Sequence, residues 1–205
     1  MKTTLFRLIC IAILIEGSIF IYNTFQEKKY TPRQYEGTLI GMTCGDTRSY
    51  NEPIDTWLAT GQYKAHSIQG GFSKNGRAPH YGLFYAFFRM FGDTATAFDL
   101  LAAFQLGMRL LSSILLFYLA ERITKNTRIA WISFLVYCSL SWVSLYTPRI
   151  ITESLSLSFL IIGVYFLIHW LETRRNFHFV LSAFILGYVG CMRPFLLPAI
   201  AAFAF

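Results

Sequence analysis

Charged residues are scarce in this sequence, and acidic residues are the scarcest of them. Only 14% of the 205 residues are charged, with 11 acidic residues beside 18 basic ones, whereas a soluble domain carries about 25%. Hydrophobic residues make up 55% of the chain and aromatic residues 18%, which leaves too little polar surface to cover a water-facing globule. The composition argues against a soluble enzyme, a disordered chain and a fibrous repeat. It predicts an integral membrane protein with one sizeable polar insertion.

The sequence also lacks the cysteine spacing of a metal site or a disulfide framework. Its four cysteines form no CxxC pair, and Cys44 alone lies in polar sequence without an obvious partner. No metal ligand is assigned, and a divalent metal stays open as a cofactor without a clear ligand set. The net charge of +7 is interpreted as basic residues in short cytoplasmic loops or as a basic cluster that meets lipid phosphates. No nucleic-acid partner is expected.

Long apolar runs predict an all-α membrane protein, a polytopic helical bundle. Between the first two runs lies a polar stretch, 23–93, which is predicted to be a large non-cytoplasmic loop with short helices at 54–65 and 82–91. The second of these helices is aromatic and amphipathic, as is typical of a helix in the membrane interface. The last run is too short to cross, so the chain is expected to be truncated or to end in a half-span. The predicted spans are about 5–22, 94–120, 129–148, 151–171 and 177–192, with a partial span at 195–205.

The basic turns predict how the spans are oriented in the membrane. The start MKTTLFR and the turns ERITKNTR and ETRR fall on one side, which the positive-inside rule makes cytoplasmic. The loop 23–93 then lies on the other side of the membrane. A signal peptide is the alternative for the first run, but Glu16 interrupts it and no small-residue cleavage site follows. Because a carboxylate that faces lipid costs about 3 kcal/mol, Glu16 is expected to face other helices.

Three polar clusters are predicted to meet at the non-cytoplasmic face. They are GDTRSY with Asp46, GRAPHY with Arg77, and PRIITE with Arg149 and Glu153. Arg149 and Glu153 are four residues apart, so they are expected to share one helix face. A carboxylate at a membrane boundary can take a proton from an acceptor hydroxyl, and arginines there can hold a phosphate with two hydrogen bonds. This set suits a reaction in which a phosphate-linked group leaves and a hydroxyl or amine attacks.

Each charged residue also has a simpler structural interpretation. Asp46 follows a glycine and could shape a turn. Arg149 and Glu153 could form a boundary ion pair, Arg77 could extend to lipid headgroups, and Arg193 with the proline after it could only end a helix.

The aromatic candidates and the one histidine candidate leave similar alternatives open. His80 is a loop hydrogen-bonding residue or a substrate contact. Tyr50 and Tyr81 are aromatic residues of the membrane interface or contacts to a sugar.

The order of the motifs is more informative than any one of them. After a first span come GD-x-x-x-Y in a large loop and R-x-P-x-Y before an aromatic helix. T-E follows at the external turn between the third and fourth spans, and R-P after the fifth span. This order resembles the polyprenyl-phosphate-sugar glycosyltransferases of the C-type membrane superfamily. The nearest relatives would be the protein O-mannosyltransferases and the lipid A aminoarabinose transferases. The resemblance covers about residues 5–200, the amino-terminal half of such an enzyme.

The resemblance implies a role for each candidate. Asp46 would be the essential acidic residue of the first loop and the general base, and Glu153 the acidic residue of the next external loop. Arg77, Arg149 and Arg193 would contact the phosphate of the donor. Here a glycine precedes Asp46 and a threonine follows it, in place of the Asp-Glu pair of the protein mannosyltransferases, which weakens the case for a protein acceptor.

The resulting expectation is a hexosyl- or pentosyltransferase. It would move a sugar from a polyprenyl-phosphate donor to a glycan, lipid or protein acceptor at the external membrane face. The expected location is the bacterial inner membrane, with a cytoplasmic N-terminus and a periplasmic active site in the cell envelope. The alternatives are a non-catalytic lipid-binding or transport subunit and an inactive truncated paralogue.

Overall fold

The first helix runs the full depth of the bundle and changes its winding in the middle. In the computed structural model, which describes residues 2–35, 37–44, 46–66, 72–73, 80–140 and 146–196, α1 (Lys2–Ala12) continues through a π turn (Ile13–Gly17) into α2 (Ser18–Tyr30). A π turn inside a helix often marks a functional site. Here it contains Glu16, whose side chain is buried.

The insertion, residues 31–93, follows α2, and its described part contains two short α-helices. A 3₁₀ turn (Pro32–Tyr35) leads towards α3 (Thr47–Thr60), which ends at Gly61 in the left-handed region (φ 74°). Two-residue strands, β1 (Ala65–His66) and β2 (Phe72–Ser73), pair antiparallel. The aromatic helix α4 (His80–Arg89) closes the insertion.

The central helix is α5 (Thr94–Thr124), 31 residues long. It packs against α1, α4 and two later helices, α6 (Thr127–Ser139) and α7 (Thr152–Thr173). It begins where the Asp93 carboxylate accepts a hydrogen bond from the Thr96 N–H (2.8 Å), an N-cap. It ends at Lys125, a left-handed residue (φ 53°) that turns the chain into α6.

Helix α6 (Thr127–Ser139) is shorter than the sequence predicts. Asn126 caps its start by accepting hydrogen bonds from the Arg128 and Ile129 N–H groups. The predicted span 129–148 is not one continuous helix, because α6 stops at Ser139 and residues 146–148 form a turn and bends. Thr147 to Ile150 instead hydrogen-bond to the insertion and to α5.

The last two described helices, α7 (Thr152–Thr173) and α8 (Asn176–Met192), form an antiparallel hairpin. Gly163 lets them approach closely, since a Cβ there would lie 2.6 Å from the Leu186 side chain. The Ser182 hydroxyl donates a hydrogen bond to the Gly163 carbonyl (2.9 Å) across the same contact. A 3₁₀ turn (Pro194–Leu196) follows, and the rest of the predicted partial span at 195–205 lies outside the described residues.

The predicted fold class, an all-α membrane protein, is confirmed. Among the described residues, three helices are long and apolar enough to cross a membrane, and α8 is a shorter apolar helix. The expectation that Glu16 faces other helices is also confirmed, because its carboxylate lies 3.2 Å from Nε of Arg109 on α5 and both side chains are buried. The three long apolar helices are Thr3–Tyr30, Thr94–Thr124 and Thr152–Thr173.

The bundle has two ends with different contents. We call the end that carries the insertion, the start of α5 and the start of α7 the insertion end. We call the opposite end, with the start of α1 and the turns 125–126 and 174–175, the turn end. The candidate residues of the sequence analysis that the structure describes, all but Arg77, belong to the insertion end.

Candidate functional site at the insertion end

The insertion is bonded to the chain segment that precedes α7. The Met42 N–H donates to the Pro148 carbonyl (2.8 Å), and the Ile150 N–H donates to the Met42 carbonyl (2.9 Å). The Thr47 hydroxyl adds a bond to the Ile150 carbonyl (3.0 Å). Because Thr47 directly follows Asp46, this contact holds the segment that carries Asp46 beside the segment that leads to Glu153.

A buried glutamine joins three parts of the site. Nε2 of Gln105 on α5 donates to the carbonyls of Thr147 (2.8 Å) and Arg149 (3.0 Å). Its Oε1 accepts a hydrogen bond from the hydroxyl of Tyr81 on α4 (3.0 Å). Sequence reasoning missed Gln105. Its signal was the single amide side chain of α5, since an unbonded amide in a bundle interior would be costly.

A carboxylate at the start of α5 fixes the first part of the insertion. Asp99 accepts hydrogen bonds from three consecutive N–H groups, those of Leu39 (2.8 Å), Ile40 (2.7 Å) and Gly41 (2.7 Å). Gly41 is required for this approach, because a Cβ there would lie 2.7 Å from the backbone carbonyl of Phe98. Met42, which bonds to the segment before α7, directly follows this anchored stretch.

The ion pairs of Arg149 and Arg193 at the insertion end correct the predicted pairing of Arg149 with Glu153. Nη2 of Arg149 lies 2.9 Å from Oε1 of Glu27 on α2, whereas Glu153 pairs with Arg193 at the end of α8. Arg149 and Glu153 do not share a helix face, because α7 begins only at Thr152. The two arginines thus come from different segments, and each is held by a carboxylate of another helix.

Two of the residues that the sequence analysis selected each have one polar atom that is buried without a hydrogen-bond partner in the described part of the chain. These atoms are Nε of Arg149 and Nδ1 of His80. The Arg149 guanidinium also lies over the Tyr146 ring, 5.5 Å from its centroid. An unpaired buried donor is costly, so a ligand that accepts a hydrogen bond from the Arg149 guanidinium would stabilise this arrangement.

Tyr50 and Tyr81 pack inside the insertion. Their rings meet edge to face with centroids 5.0 Å apart, and Tyr81 is 1% exposed. Burial raises the pKa of the Tyr81 phenol well above its usual value, and its neighbours Tyr50, Cys44 and Glu153 raise it further. The phenol therefore stays protonated and donates to Gln105. Both rings are buried, and contact of Tyr50 and Tyr81 with a sugar stays a prediction.

Asp46 occupies the residue before α3. Its carboxylate is exposed and does not cap the helix N–H groups. Its backbone carbonyl accepts hydrogen bonds from the N–H (3.0 Å) and hydroxyl (2.6 Å) of Ser49. Arg77, the third arginine assigned to the donor phosphate, lies outside the described residues.

An apolar cleft of about 350 Å³ lies between α4, α7 and α8. Phe184 on its wall is 71% exposed, so the cleft opens on the outer surface of the bundle. Tyr188 donates a hydrogen bond to the His80 carbonyl, which joins α8 to the start of α4. The cleft is lined by Phe84, Phe159, Leu181, Phe184, Ile185 and Tyr188.

A small polar cavity of about 160 Å³ lies beside the Glu27–Arg149 pair. It is lined by Asn23, Gln26, Glu27 and Tyr30 of α2. Nδ2 of Asn23 is buried and has no hydrogen-bond partner among the described residues. Sequence reasoning missed this cavity, because it ended the first span at residue 22, although the helix continues to Tyr30.

Within the described residues, no three His, Cys, Asp or Glu side chains come together as a metal site. No protein-family model, curated protein or solved structure matches the chain. The assignment of a function therefore depends on the chemistry of the insertion end.

Proposed function

We propose that the chain is a membrane glycosyltransferase, or the part of one, that moves a sugar from a polyprenyl-phosphate donor to an acceptor at the insertion end. The observation that carries this proposal is the combination of an apolar cleft with arginines at one end of the bundle. An isoprenoid tail is apolar and its phosphate is anionic, so one ligand would use both features.

The cleft suits the tail of such a donor. Its walls are aromatic and aliphatic side chains of α4, α7 and α8, and it opens where a lipid-soluble chain would enter from the bilayer. Arg193, five residues beyond Tyr188 of the cleft, pairs with Glu153 in the first turn of α7. A phosphate at the end of the tail would thus meet a guanidinium that one carboxylate already orients.

Arg149 suits the phosphate for a second reason. Its Nη2 is bonded to Glu27, while its buried Nε has no partner in the described structure. Guanidinium groups bind phosphate with two parallel hydrogen bonds, which Lys cannot reproduce. We assign Arg77 to the same phosphate from its place in the sequence.

The proposed reaction is one displacement at the anomeric carbon. Asp46 takes the proton of the acceptor hydroxyl, whose oxygen then forms a bond to that carbon. The bond from the anomeric carbon to the phosphate oxygen breaks, and the polyprenyl phosphate leaves with the electron pair. Configuration at the carbon inverts. Glu153 orients Arg193 through their ion pair.

The proposal includes an orientation in the membrane. The turn end carries the basic turns and is proposed to face the cytoplasm, and the insertion end the periplasm. In a variant without its four native cysteines, Thr60→Cys on α3 is expected to react with a membrane-impermeant maleimide in intact cells. Arg128→Cys at the turn end is expected to react only after permeabilisation. The reverse pattern contradicts the orientation.

Asp46→Asn tests the mechanism. It keeps the size of the side chain but removes the base, so transfer from a labelled polyprenyl-phosphate sugar should fall roughly 10²–10⁴-fold. Binding of the donor should change little. Glu52→Gln, on α3 and paired with the exposed Arg48, is the matched control and should keep wild-type transfer. Wild-type transfer by Asp46→Asn would reject Asp46 as the base.

The arginine assignment is tested separately, by donor binding. Arg149→Lys and Arg193→Lys keep the charge but lose the planar guanidinium, and each should weaken donor binding about tenfold. Arg48→Lys, whose side chain is 78% exposed on α3, is the control. If both variants bind the donor like wild type, the phosphate is held elsewhere.

Binding without transfer is the second candidate, because the same cleft and arginines would serve a lipid-binding or transport subunit. The two candidates differ at Asp46. A wild-type chain that binds the donor, transfers no sugar to any acceptor tested and is unaffected by Asp46→Asn would favour the binding function.

A further inference from the structure

A second cavity, at the turn end, is far from the proposed glycosyltransferase site. It has a volume of about 350 Å³ and lies between α1, the end of α5 and the start of α6. Small-molecule sites in proteins start at about 300 Å³. The cavity is lined by Thr4, Arg7, Tyr118, Glu121, Thr127 and Trp131.

The two charged residues of this cavity have opposite sign and are not paired. Arg7 forms no ion pair with any carboxylate of the described residues, whose pairs at this end join Arg122 and His169 to Glu172. Glu121 instead accepts a hydrogen bond from the Thr127 hydroxyl (2.9 Å). One cavity thus presents a cation on one wall and an anion on another, with space between them.

The other side chains around the cavity suit a lipid headgroup. The hydroxyl of Thr4 can donate to a phosphate oxygen, and the Thr127 hydroxyl orients the Glu121 carboxylate. The rings of Tyr118 and Trp131 provide faces that attract an ammonium group. Trp131 is fixed by edge contact with the Phe117 ring, at 5.1 Å between centroids. Tyrosine and tryptophan are enriched at the level of the headgroups.

We propose that this cavity binds the headgroup of a zwitterionic phospholipid, with its phosphodiester at Arg7 and its ammonium at Glu121. A ligand with both charges satisfies both walls at once. An anionic phospholipid would satisfy Arg7 but would be repelled by the Glu121 carboxylate. The phosphate of a simple anion would leave Glu121 without a counter-charge.

The headgroup would join α1 to the α5–α6 turn. In the bundle α1 contacts α5 through Leu8 and Phe117, in one apolar cluster with Phe134 of α6. The cavity lies at the polar edge of that cluster. A bound lipid would therefore stabilise the position of the first helix without contact to the insertion end.

Native mass spectrometry of the full chain in detergent tests the proposal, with dioleoyl phosphatidylethanolamine, phosphatidylcholine and phosphatidylglycerol titrated separately. We expect the ethanolamine or choline lipid to bind about tenfold more tightly than the glycerol lipid. Glu121→Gln should lose this preference, because it removes the group that selects for the ammonium and repels the anionic lipid. Arg7→Gln should weaken binding of all three lipids.

Matched controls come from the same end of the bundle. Arg128→Gln removes an exposed cation and Glu172→Gln a carboxylate, and neither residue lines the cavity. Both should keep the wild-type preference. Equal binding of the three lipids by the wild-type chain would overturn the proposal, as would an unchanged preference in Glu121→Gln. The readout is a ratio between lipids on the folded population, so partial misfolding of a variant does not hide the result.

Discussion

Two glutamates of the first helix each pair with an arginine, but they do so in different surroundings. Glu16 meets Arg109 in the middle of the bundle, where the two side chains are 0% and 1% exposed. Glu27 meets Arg149 at the insertion end, where the side chains are 18% and 29% exposed. The central arginine also donates to the Tyr137 carbonyl (3.0 Å) and lies over the Tyr137 ring.

The difference in burial indicates that the two glutamate–arginine pairs have different roles. A buried pair cannot exchange its partner without leaving a charge in an apolar medium, so Glu16 and Arg109 fix the first helix on α5. A half-exposed pair gains little stability and can rearrange when a ligand arrives. The outer pair is therefore the one suited to binding, and the inner pair the one suited to assembly.

The largest effect should come from breaking the inner pair. Arg109→Leu leaves Glu16 buried without a counter-charge, which should destabilise the fold by about 3–5 kcal/mol. The thermal unfolding midpoint in detergent measures it. The double variant Glu16→Leu/Arg109→Leu should recover most of this loss, because replacing a whole buried pair by apolar residues is often close to neutral. A double variant as unstable as the single one would show that the pair is not the cause.

The next effect should come from the buried glutamine that joins the segments of the site. Gln105→Leu removes the partner of Tyr81 and of two backbone carbonyls, which should cost about 1–3 kcal/mol. Amide hydrogen exchange should also become faster in residues 146–151. Gln26→Leu, at the polar cavity of α2, is the control and should leave that segment protected. Unchanged exchange in Gln105→Leu would contradict the role that we give this side chain.

Breaking the outer pair should have a smaller effect on stability. Glu27→Gln keeps the shape of the side chain and removes only the charge, so the unfolding free energy should change by about 1 kcal/mol or less. Under the same conditions, Glu27→Gln should lower the unfolding free energy by clearly less than Glu16→Gln does. A Glu27→Gln variant as unstable as Glu16→Gln would remove the distinction between the two pairs.

The smallest effect is expected for a surface pair of the insertion. Arg48 and Glu52 are 3.3 Å apart on α3, and the Arg48 side chain is 78% exposed. Arg48→Ala should change the unfolding free energy by about 0.5 kcal/mol or less, since surface substitutions rarely exceed this. If Arg48→Ala changed the unfolding free energy as much as Glu27→Gln does, the exposure of an ion pair would not predict its contribution to stability.

The membrane fold could be predicted from the sequence, because an apolar run of about 20 residues has the length and composition of a transmembrane helix. The inward orientation of Glu16 was predictable for the same reason, since lipid offers a carboxylate no partner. The end of α6 at Ser139 was not. The later segment 147–150 hydrogen-bonds to Gln105 and Met42, which are distant in sequence, and hydropathy carries no information about such contacts.

The site was predicted in part. The clusters that contain Asp46 and Glu153 lie on segments that the Thr47–Ile150 bond joins, but the pairing of Arg149 with Glu153 was inferred from helical spacing where no helix exists. The true partner, Glu27, belongs to a helix that extends eight residues beyond the predicted span, to Tyr30. Periodicity could not show this, because the last turns of α2 are polar and read as loop.

The π turn sets the rotational phase between the two halves of the first helix. An α-helix rotates by roughly 100° per residue, so the ~11 residues from Glu16 to Glu27 would bring both carboxylates to nearly the same face of an uninterrupted helix. A π turn holds about one additional residue, which offsets α2 from α1 by roughly that rotation. The chain can thus direct one carboxylate at α5 and the other at the segment before α7. An uninterrupted α-helix over the same residues would turn these two directions back into one.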